Sequence, residues 1–228
     1  MRVAIVTGAS RGIGRATALA LANKGFAVAL ASRSAEDLLS LESEIGALGG
    51  RALSIPTDVS DESSVTAMVE RTSREFGPVG LLVNNAGTLV RASIVETDAG
   101  AWDRVLGVNL KGAFLCTRAV LPSMIERGRG RIVNVSSISG KLGTPLLSAY
   151  CASKWGLLGF SLAASEELKA RGIQVFSVCP GSVNTEMLQQ GLPGASPDME
   201  PEHVASVIVY LGTEAPDAMT GAAVDVFG

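Results

Sequence analysis

Tyr150 and Lys154 stand four residues apart in "SAYCASKWG" (148–156), among small neighbours that let a helix pack closely. Side chains at i and i+4 share one helix face. A tyrosine, with an ordinary pKa of about 10, is a poor base at neutral pH. A cation within about 4–6 Å favours the phenolate and lowers that value by roughly 1–3 units. The pair therefore reads as a proton-transfer centre, or as a packed ring beside a surface lysine. Upstream, "RIVNVSSISG" ends an apolar run in Ser136 and Ser137. Serines at a strand end are usually turn formers, but one shortly before a Tyr–Lys helix could hold and polarise a carbonyl. The lone histidine, His203, follows "PDMEP" near an expected helix start, where a polar surface role is the default. A Ser–His–Asp triad or a histidine-rich zinc site would have to rest on that one residue.

The second constellation is "TGASRGIGRATALALA", in which Gly8, Gly12 and Gly14 lead from an apolar run into an Ala/Leu helix. Glycines permit a tight turn and close approach of backbone to a phosphate, and the helix beyond offers free N–H groups and a positive dipole end. The spacing is G-x-x-x-G-x-G rather than the usual G-x-G-x-x-G, and tight βα turns need glycine for their own reasons. About 20 residues further on, an NAD enzyme places Asp or Glu for the ribose hydroxyl, whereas NADP calls for a positive neighbour. Here the strand end carries Ser32 and Arg33; Glu36 and Asp37 fall in the first turn of the next helix, where acids suit the dipole. With Arg11 in the glycine loop able to join Arg33 around one phosphate, the pattern favours NADP(H).

Elements must place these groups. "RVAIVTG", "FAVALAS", "RALSIPT", "GLLVNNAG", "RIVNVSS", "IQVFSVCP" and "AAVDVFG" read as seven strands, mostly near-continuous in apolar residues, as parallel strands covered on both faces are. Helix-length segments at 12–24, 35–48, 62–76, 100–126, 149–171 and 201–213 separate them. This β–α alternation predicts an α/β fold with a doubly wound, mostly parallel seven-stranded sheet and helices on both faces. No linker divides residues 1–228, so one domain is expected, with a cofactor half at about 1–90 and a catalytic and substrate half at about 91–228. "QQGLPGASPDMEP" (189–201) suits a lid over a ligand or a long surface loop.

Composition narrows the function further. The chain is 47% apolar and 18% charged with a net charge of −3, which argues against nucleic acid as partner. No uninterrupted apolar run reaches the roughly 20 residues of a membrane span, and the N-terminus has no signal-peptide pattern. Three widely spaced cysteines fit free thiols in a reducing compartment. A soluble cytoplasmic protein is expected.

The ordered motifs "TGASRGIG", "NNAG" (84–87), "NLKG" (109–112), "VSS" (135–137), "YCASK" (150–154) and "PGSVNT" (180–185) resemble those of the short-chain dehydrogenase/reductase family over essentially the whole chain. The resemblance implies a Rossmann fold, with Tyr150 as general acid/base and Lys154 lowering its pKa and binding the nicotinamide ribose. Ser137 matches the substrate-orienting serine, and Asn109 the asparagine that holds a relay water for Lys154. It also implies a cofactor set of Gly8, Ser10, Arg11, Gly12, Ile13, Gly14, Ser32, Arg33, Asp58, Val59, Asn85, Ala86, Gly87, Pro180, Gly181, Val183 and Thr185, with Tyr150 and Lys154 themselves. Asp58 and Val59 match the adenine pocket, although Asp58 could instead cap the helix at 62–76. Within "NNAG", Asn84, Ala86 and Gly87 resemble the segment under the cofactor, and Asn85 looks more like a residue bracing the sheet. Val183 and Thr185 match the holders of the nicotinamide carboxamide, in a turn shaped by Pro180 and Gly181. A mostly apolar substrate pocket is expected near Gly140, Leu142, Leu146 and Leu147. No metal site is expected.

The resulting expectation is an NADP(H)-dependent oxidoreductase interconverting a carbonyl and a secondary alcohol, of which 3-oxoacyl thioester reductases are the nearest general likeness. A small ketone or aldehyde remains open as substrate, and so does a second class, a cofactor-binding sensor or scaffold without turnover. Family habit implies a homodimer or homotetramer paired through the helices that carry Asn109 and the Tyr–Lys motif.

Overall fold

The computed structural model describes residues 2–228. The seven apolar runs form β1 (Arg2–Thr7), β2 (Phe26–Ser32), β3 (Arg51–Pro56), β4 (Leu81–Asn84), β5 (Gly130–Val135), β6 (Ile173–Pro180) and β7 (Ala223–Val226). All pair in parallel, in the order β3-β2-β1-β4-β5-β6-β7. The chain winds outward from β1 through β2 to β3, then returns to the other side of β1 with β4. A switch of direction of this kind opens a crevice at the carboxyl ends of the central strands.

Strand alternation divides the core into two layers. Val6, Leu30, Val83, Val133 and Phe176 face one side, against α1 (Gly12–Asn23), α2 (Ala35–Ala47) and α8 (Pro201–Thr213). Ile5, Ala29, Leu82, Ile132 and Val175 face the other, against α3 (Glu62–Phe76), α5 (Gly112–Glu126) and α6 (Ser148–Leu168). Both faces of the central strands are thus covered, which accounts for their near-continuous apolar sequence.

Two helical segments differ from the sequence expectation in ways that matter for the site. The helix expected over 100–126 comprises α4 (Ala99–Leu106), a π-helical turn at Gly107–Lys111, and α5. The π turn carries Asn109, and a one-turn widening of this kind commonly redirects a side chain at a functional site. Ala99–Glu126 as a whole is long and apolar enough, by length and composition, to cross a membrane. Its Leu115, Cys116, Val120 and Met124 are instead buried in the layer beside the sheet, as in a core helix. The long loop expected over 189–201 is partly helical: α7 (Glu186–Gly191) occupies its start. The return is pinned by a Val183–Met199 bridge and by the Asn184 N–H donating to the Met199 carbonyl.

Candidate active site

A cavity of about 790 Å³ lies over the β1/β4 switch point. At one end, β1 delivers the glycine loop into α1. Gly8 has φ +64°, and a Cβ there would lie 2.9 Å from the Ala86 backbone and from Asn85 Nδ2. A Cβ on Gly14 would lie 2.1 Å from the Gly8 carbonyl oxygen, so Gly14 packs helix against loop and does not line the cavity. No side chain caps α1. Its first residues, Gly12 and Ile13, border the cavity, so its N-terminal N–H groups are open to an anion there.

The segment after β4 is stitched to this loop. Thr7 Oγ1 accepts the N–H groups of Asn85 and Ala86, each at 3.0 Å. Asn85 Nδ2 donates to the carbonyls of Thr7 and Gly8 at 3.0 and 3.1 Å. The roles read from the sequence for the two asparagines are therefore exchanged. Asn84 is the one buried in the sheet, donating to Asn134 Oδ1 at 2.8 Å and to Thr117 Oγ1 at 3.2 Å. Asn85, Ala86 and Gly87 line the cavity. Parity is the cause: Asn84 shares the face of Leu82, and Asn85 turns toward the glycine loop.

Ser32, Arg33, Asp58 and Val59 line the far end of the cavity. Asp58 Oδ1 accepts from the Ser60 N–H and hydroxyl, and these bonds, with a smaller effect of the Arg33 charge, hold its carboxyl below the usual range. The cap of α3 is Asp61, not Asp58. Arg33 enters no ion pair among the described residues. Arg11, expected beside it, instead pairs with Glu186 at the start of α7.

At the other end, β5 ends in Val135 and the chain turns through Ser136 and Ser137 into a 3₁₀ turn at Ile138–Gly140. Ser137 Oγ accepts the Ser139 N–H at 3.1 Å, and its hydroxyl lies close enough to the Tyr150 phenol to favour the phenolate. Lys154, one turn along α6, is buried; its Nζ donates to the Val135 carbonyl at 2.7 Å and lies 5.6 Å from the Tyr150 ring centroid. Burial pushes the phenol up, partly offset by the nearby Ser137 hydroxyl, and burial brings the ammonium down to about 8. The expectation that Lys154 lowers the tyrosine is therefore not met in the free protein. Desolvation dominates, and the ammonium points at a strand carbonyl.

Asn109 borders no part of the cavity. Its Oδ1 accepts the Thr88 N–H at 2.8 Å, and its Nδ2 donates to the Thr88 carbonyl and to Ser153 Oγ, both at 2.9 Å. Ser153 in turn donates to the Tyr150 carbonyl at 2.7 Å. The side chain is a clasp between the post-β4 segment and α6, with both amide hydrogens committed to protein rather than to a relay water.

Ser10, Pro180, Gly181, Val183 and Thr185 line the cavity as expected from the sequence, and Leu147 does so among the four residues named for the substrate side. Leu142 and Leu146 lie outside, partly or well exposed, and Gly140 is close-packed: a Cβ there would meet Ser136 Oγ at 2.7 Å. The substrate-side wall comes instead from Leu89, Met187, Leu192 and the hydrogen-bonded pair Ser139–Thr144. Only "QQGLPG", read as a lid, signalled any of this. His203 accepts the Glu200 N–H in the capping box of α8, a structural role.

A dinucleotide fits these residues: an elongated cavity, an uncapped helix N-terminus at its middle, a carboxylate and a free guanidinium at one end and a Ser–Tyr–Lys group at the other. The buried ammonium also makes a test of the geometry. Lys154 is depressed from its ordinary 10.5 to about 8, so between those values the unfolded chain binds more protons and stability rises with pH. Below pH 8 the full cost of burying the charge is present. Lys154→Met is therefore expected to stabilise the protein at neutral pH. Relative to the parent, that gain should shrink by on the order of 3 kcal/mol as pH rises through this window. Urea unfolding of both proteins across the window checks it; a pH-independent difference contradicts a buried, depressed lysine.

Comparison with known proteins agrees with this geometry. Residues 2–194 match the profile of the short chain dehydrogenase family. A protein from Synechocystis sp. called 3-oxoacyl-[acyl-carrier-protein] reductase is 38% identical, covering 100% of this chain and 96% of its own length. A 3-oxoacyl-[acyl-carrier-protein] reductase of Thermotoga maritima is 36% identical with the same coverage. Cis-4-hydroxycyclohexanecarboxylate dehydrogenase of Sinomonas cyclohexanicum is 39% identical over 100% of this chain and 95% of its own. The chain belongs to the short-chain dehydrogenase/reductase family and is an oxidoreductase.

Proposed function

We propose that the protein, acting as one domain over residues 1–228, is an NADP(H)-dependent reductase of a carbonyl to a secondary alcohol, or the reverse. The observation that carries the reading is that Ser137 and Tyr150 face the same cavity as the glycine loop, with a buried ammonium one helical turn behind them.

The backbone at Gly8–Ile13 would hold the pyrophosphate, Asp58 and Val59 the adenine, and Val183 and Thr185 the carboxamide, with Lys154 at the nicotinamide ribose. When bound, the cofactor supplies or accepts the hydride. Ser137 and Tyr150 present two hydroxyls to one carbonyl oxygen, which orients and polarises it. Tyr150, held protonated by burial, gives up its proton as the oxygen gains charge. Lys154 stabilises the resulting phenolate, and below about pH 8 it carries the charge needed to do so. Asn109 keeps α6 in register through Ser153.

Cofactor choice rests on Arg33, which enters no ion pair among the described residues and only weakly lowers the Asp58 pKa, whereas Arg11 pairs with Glu186. Substrate choice rests on charge. Among the described residues the only cations bordering the cavity are Arg11, Arg33 and Lys154, and none faces the apolar wall of Leu89, Leu147, Met187 and Leu192 as a free counter-ion. A neutral 3-oxoacyl thioester, ketone or aldehyde suits that wall better than a hydroxycarboxylate like the one for which the Sinomonas relative is named. A buried carboxylate without a partner is costly.

Exposed Trp102, Phe114, Trp155 and Leu162 on α4, α5 and α6 form an apolar face that we assign to an isologous dimer. Trp155→Glu is expected to shift the protein toward monomer in sedimentation velocity; a monomeric parent overturns the assignment.

Catalysis is tested by following NADPH and NADH oxidation against a 3-oxoacyl thioester, an aldehyde, a diketone and a quinone. NADPH turnover is expected with at least one, and Tyr150→Phe should reduce kcat by about 10³-fold or more while NADPH affinity stays within a few-fold. NADPH binding without turnover on any carbonyl would instead favour a sensor. Arg33→Ala should cost about tenfold or more in NADPH affinity and little in NADH affinity, as expected for loss of a charge-assisted phosphate contact. Equal losses for both cofactors would remove Arg33 from phosphate recognition.

A further inference from the structure

We propose that Asp225, in the last strand, is a positioning residue for the reacting pair. Through Lys141 it fixes the turn that carries Ser137. The proposal rests on the reading of Ser137 and Tyr150 as the reacting groups.

β7 lies beside β6 with Asp225 opposite Cys179. Its Val224 and Val226 pack into the core layer of α1 and α8, so alternation sends Ala223 and Asp225 to the other face, where packing demands no acid. Lys141 reaches this face: its Nζ donates to Asp225 Oδ1 at 2.5 Å and to the Ala223 carbonyl at 3.4 Å. Lys141 is also the residue that ends the 3₁₀ turn, with its N–H on the Ile138 carbonyl at 2.8 Å. Inside that turn the Gly140 N–H donates to the Ser137 carbonyl at 2.9 Å, and the Ser139 N–H to Ser137 Oγ. The turn sets the direction of the Ser137 hydroxyl, and the Lys141–Asp225 pair sets where the turn sits.

The strand reaches a second wall through its backbone, where the Gly181 N–H donates to the Val226 carbonyl at 2.9 Å. β7 therefore holds the turn before Lys141 through its Asp225 side chain and the start of the Pro180–Thr185 loop through its main chain. A partly exposed ion pair contributes little to stability, so its loss should leave the fold intact and loosen the geometry. Misplacement of a reacting group by a fraction of an ångström is costly in rate.

The chain has two tyrosines, and Tyr210 is exposed on α8. In a Tyr210→Phe background, NMR of ring-labelled tyrosine therefore reports the titration of Tyr150 alone, whose close neighbours are Ser137, Lys154 and Cys151. Asp225→Asn and Lys141→Met are each expected to raise the Tyr150 midpoint by roughly half a unit, because the nearby Ser137 hydroxyl favours the phenolate. Each should lower kcat about tenfold. NADPH affinity should be unchanged in both, since neither side chain borders the cavity. The exchanged pair Lys141→Asp/Asp225→Lys should restore the midpoint. Single variants with parental unfolding curves and an unmoved Tyr150 midpoint would overturn the proposal. If the parent reduces no carbonyl, the functional reading fails, yet the midpoint still decides whether Asp225 places the pair.

Discussion

The buried ammonium of Lys154 is the constraint around which the site is organised. A charge out of water is tolerable only when its hydrogens find fixed acceptors, and this one donates to the carbonyl of Val135 at the end of β5. That bond seats α6 on the carboxyl edge of the sheet. Tyr150 lies one turn earlier on the same face and so comes to rest above the point where β5 becomes Ser136 and Ser137. Ser136 repeats the tie, its hydroxyl donating to the Lys154 carbonyl at 3.1 Å. Burial that costs Lys154 part of its charge also holds Tyr150 protonated, so one desolvated environment sets both members of the pair.

Two polar clasps carry this placement back into the core. Asn84 and Asn134 sit opposite each other on adjacent strands, joined to α5 through Thr117 and to α6 through Ser161, which receives Asn134 Nδ2 at 2.8 Å. Asn109 and Ser153 make the second clasp, at the level of the Tyr150 carbonyl. Apolar packing alone would leave α6 free to slide by small amounts. Directional bonds between buried amides and hydroxyls select one register, at the cost of leaving Asn84 Oδ1 buried without a partner. The π turn serves the second clasp, since it places Asn109 where Thr88 and Ser153 are both in reach.

The sheet was legible in the sequence because strands covered on both faces must be apolar at every position, and the helices between them had nowhere else to go. The glycine loop and the Tyr–Lys pair were legible because their constraints are local: a turn with φ above zero, and a four-residue spacing. What sequence could not supply depends on contacts distant along the chain. Asn84 and Asn85 exchange roles with a single step of strand parity. Arg11 pairs with Glu186, 175 residues away, rather than standing beside Arg33 alone. Leu146 was expected to line the substrate pocket but adopts φ +65°, a conformation rare for a side chain of its size, and offers its carbonyl to the Ala92 N–H at 2.9 Å. That bond turns its side chain toward solvent and leaves Leu147 to face the cavity.

The two walls of the cavity have different origins, and this bears on what family membership carries. The cofactor wall is built from strand ends and the turns that leave them, whose geometry the parallel sheet dictates. The substrate wall is built from α7, the turn before α6 and the segment after β4, which the sheet only supports. Gly191 shows how tightly that wall is set, since a Cβ there would lie 3.0 Å from Leu89 and 3.6 Å from Leu147. At its other end α7 meets the glycine loop, through Arg11–Glu186 and through Thr185, whose methyl would lie 3.2 Å from a Cβ on Gly12. The short helix thus borders both the cofactor loop and the apolar floor. A fold-dictated wall and a separately built one let a single fold carry different substrates, and relatives at 36–39% identity carry differently named ones.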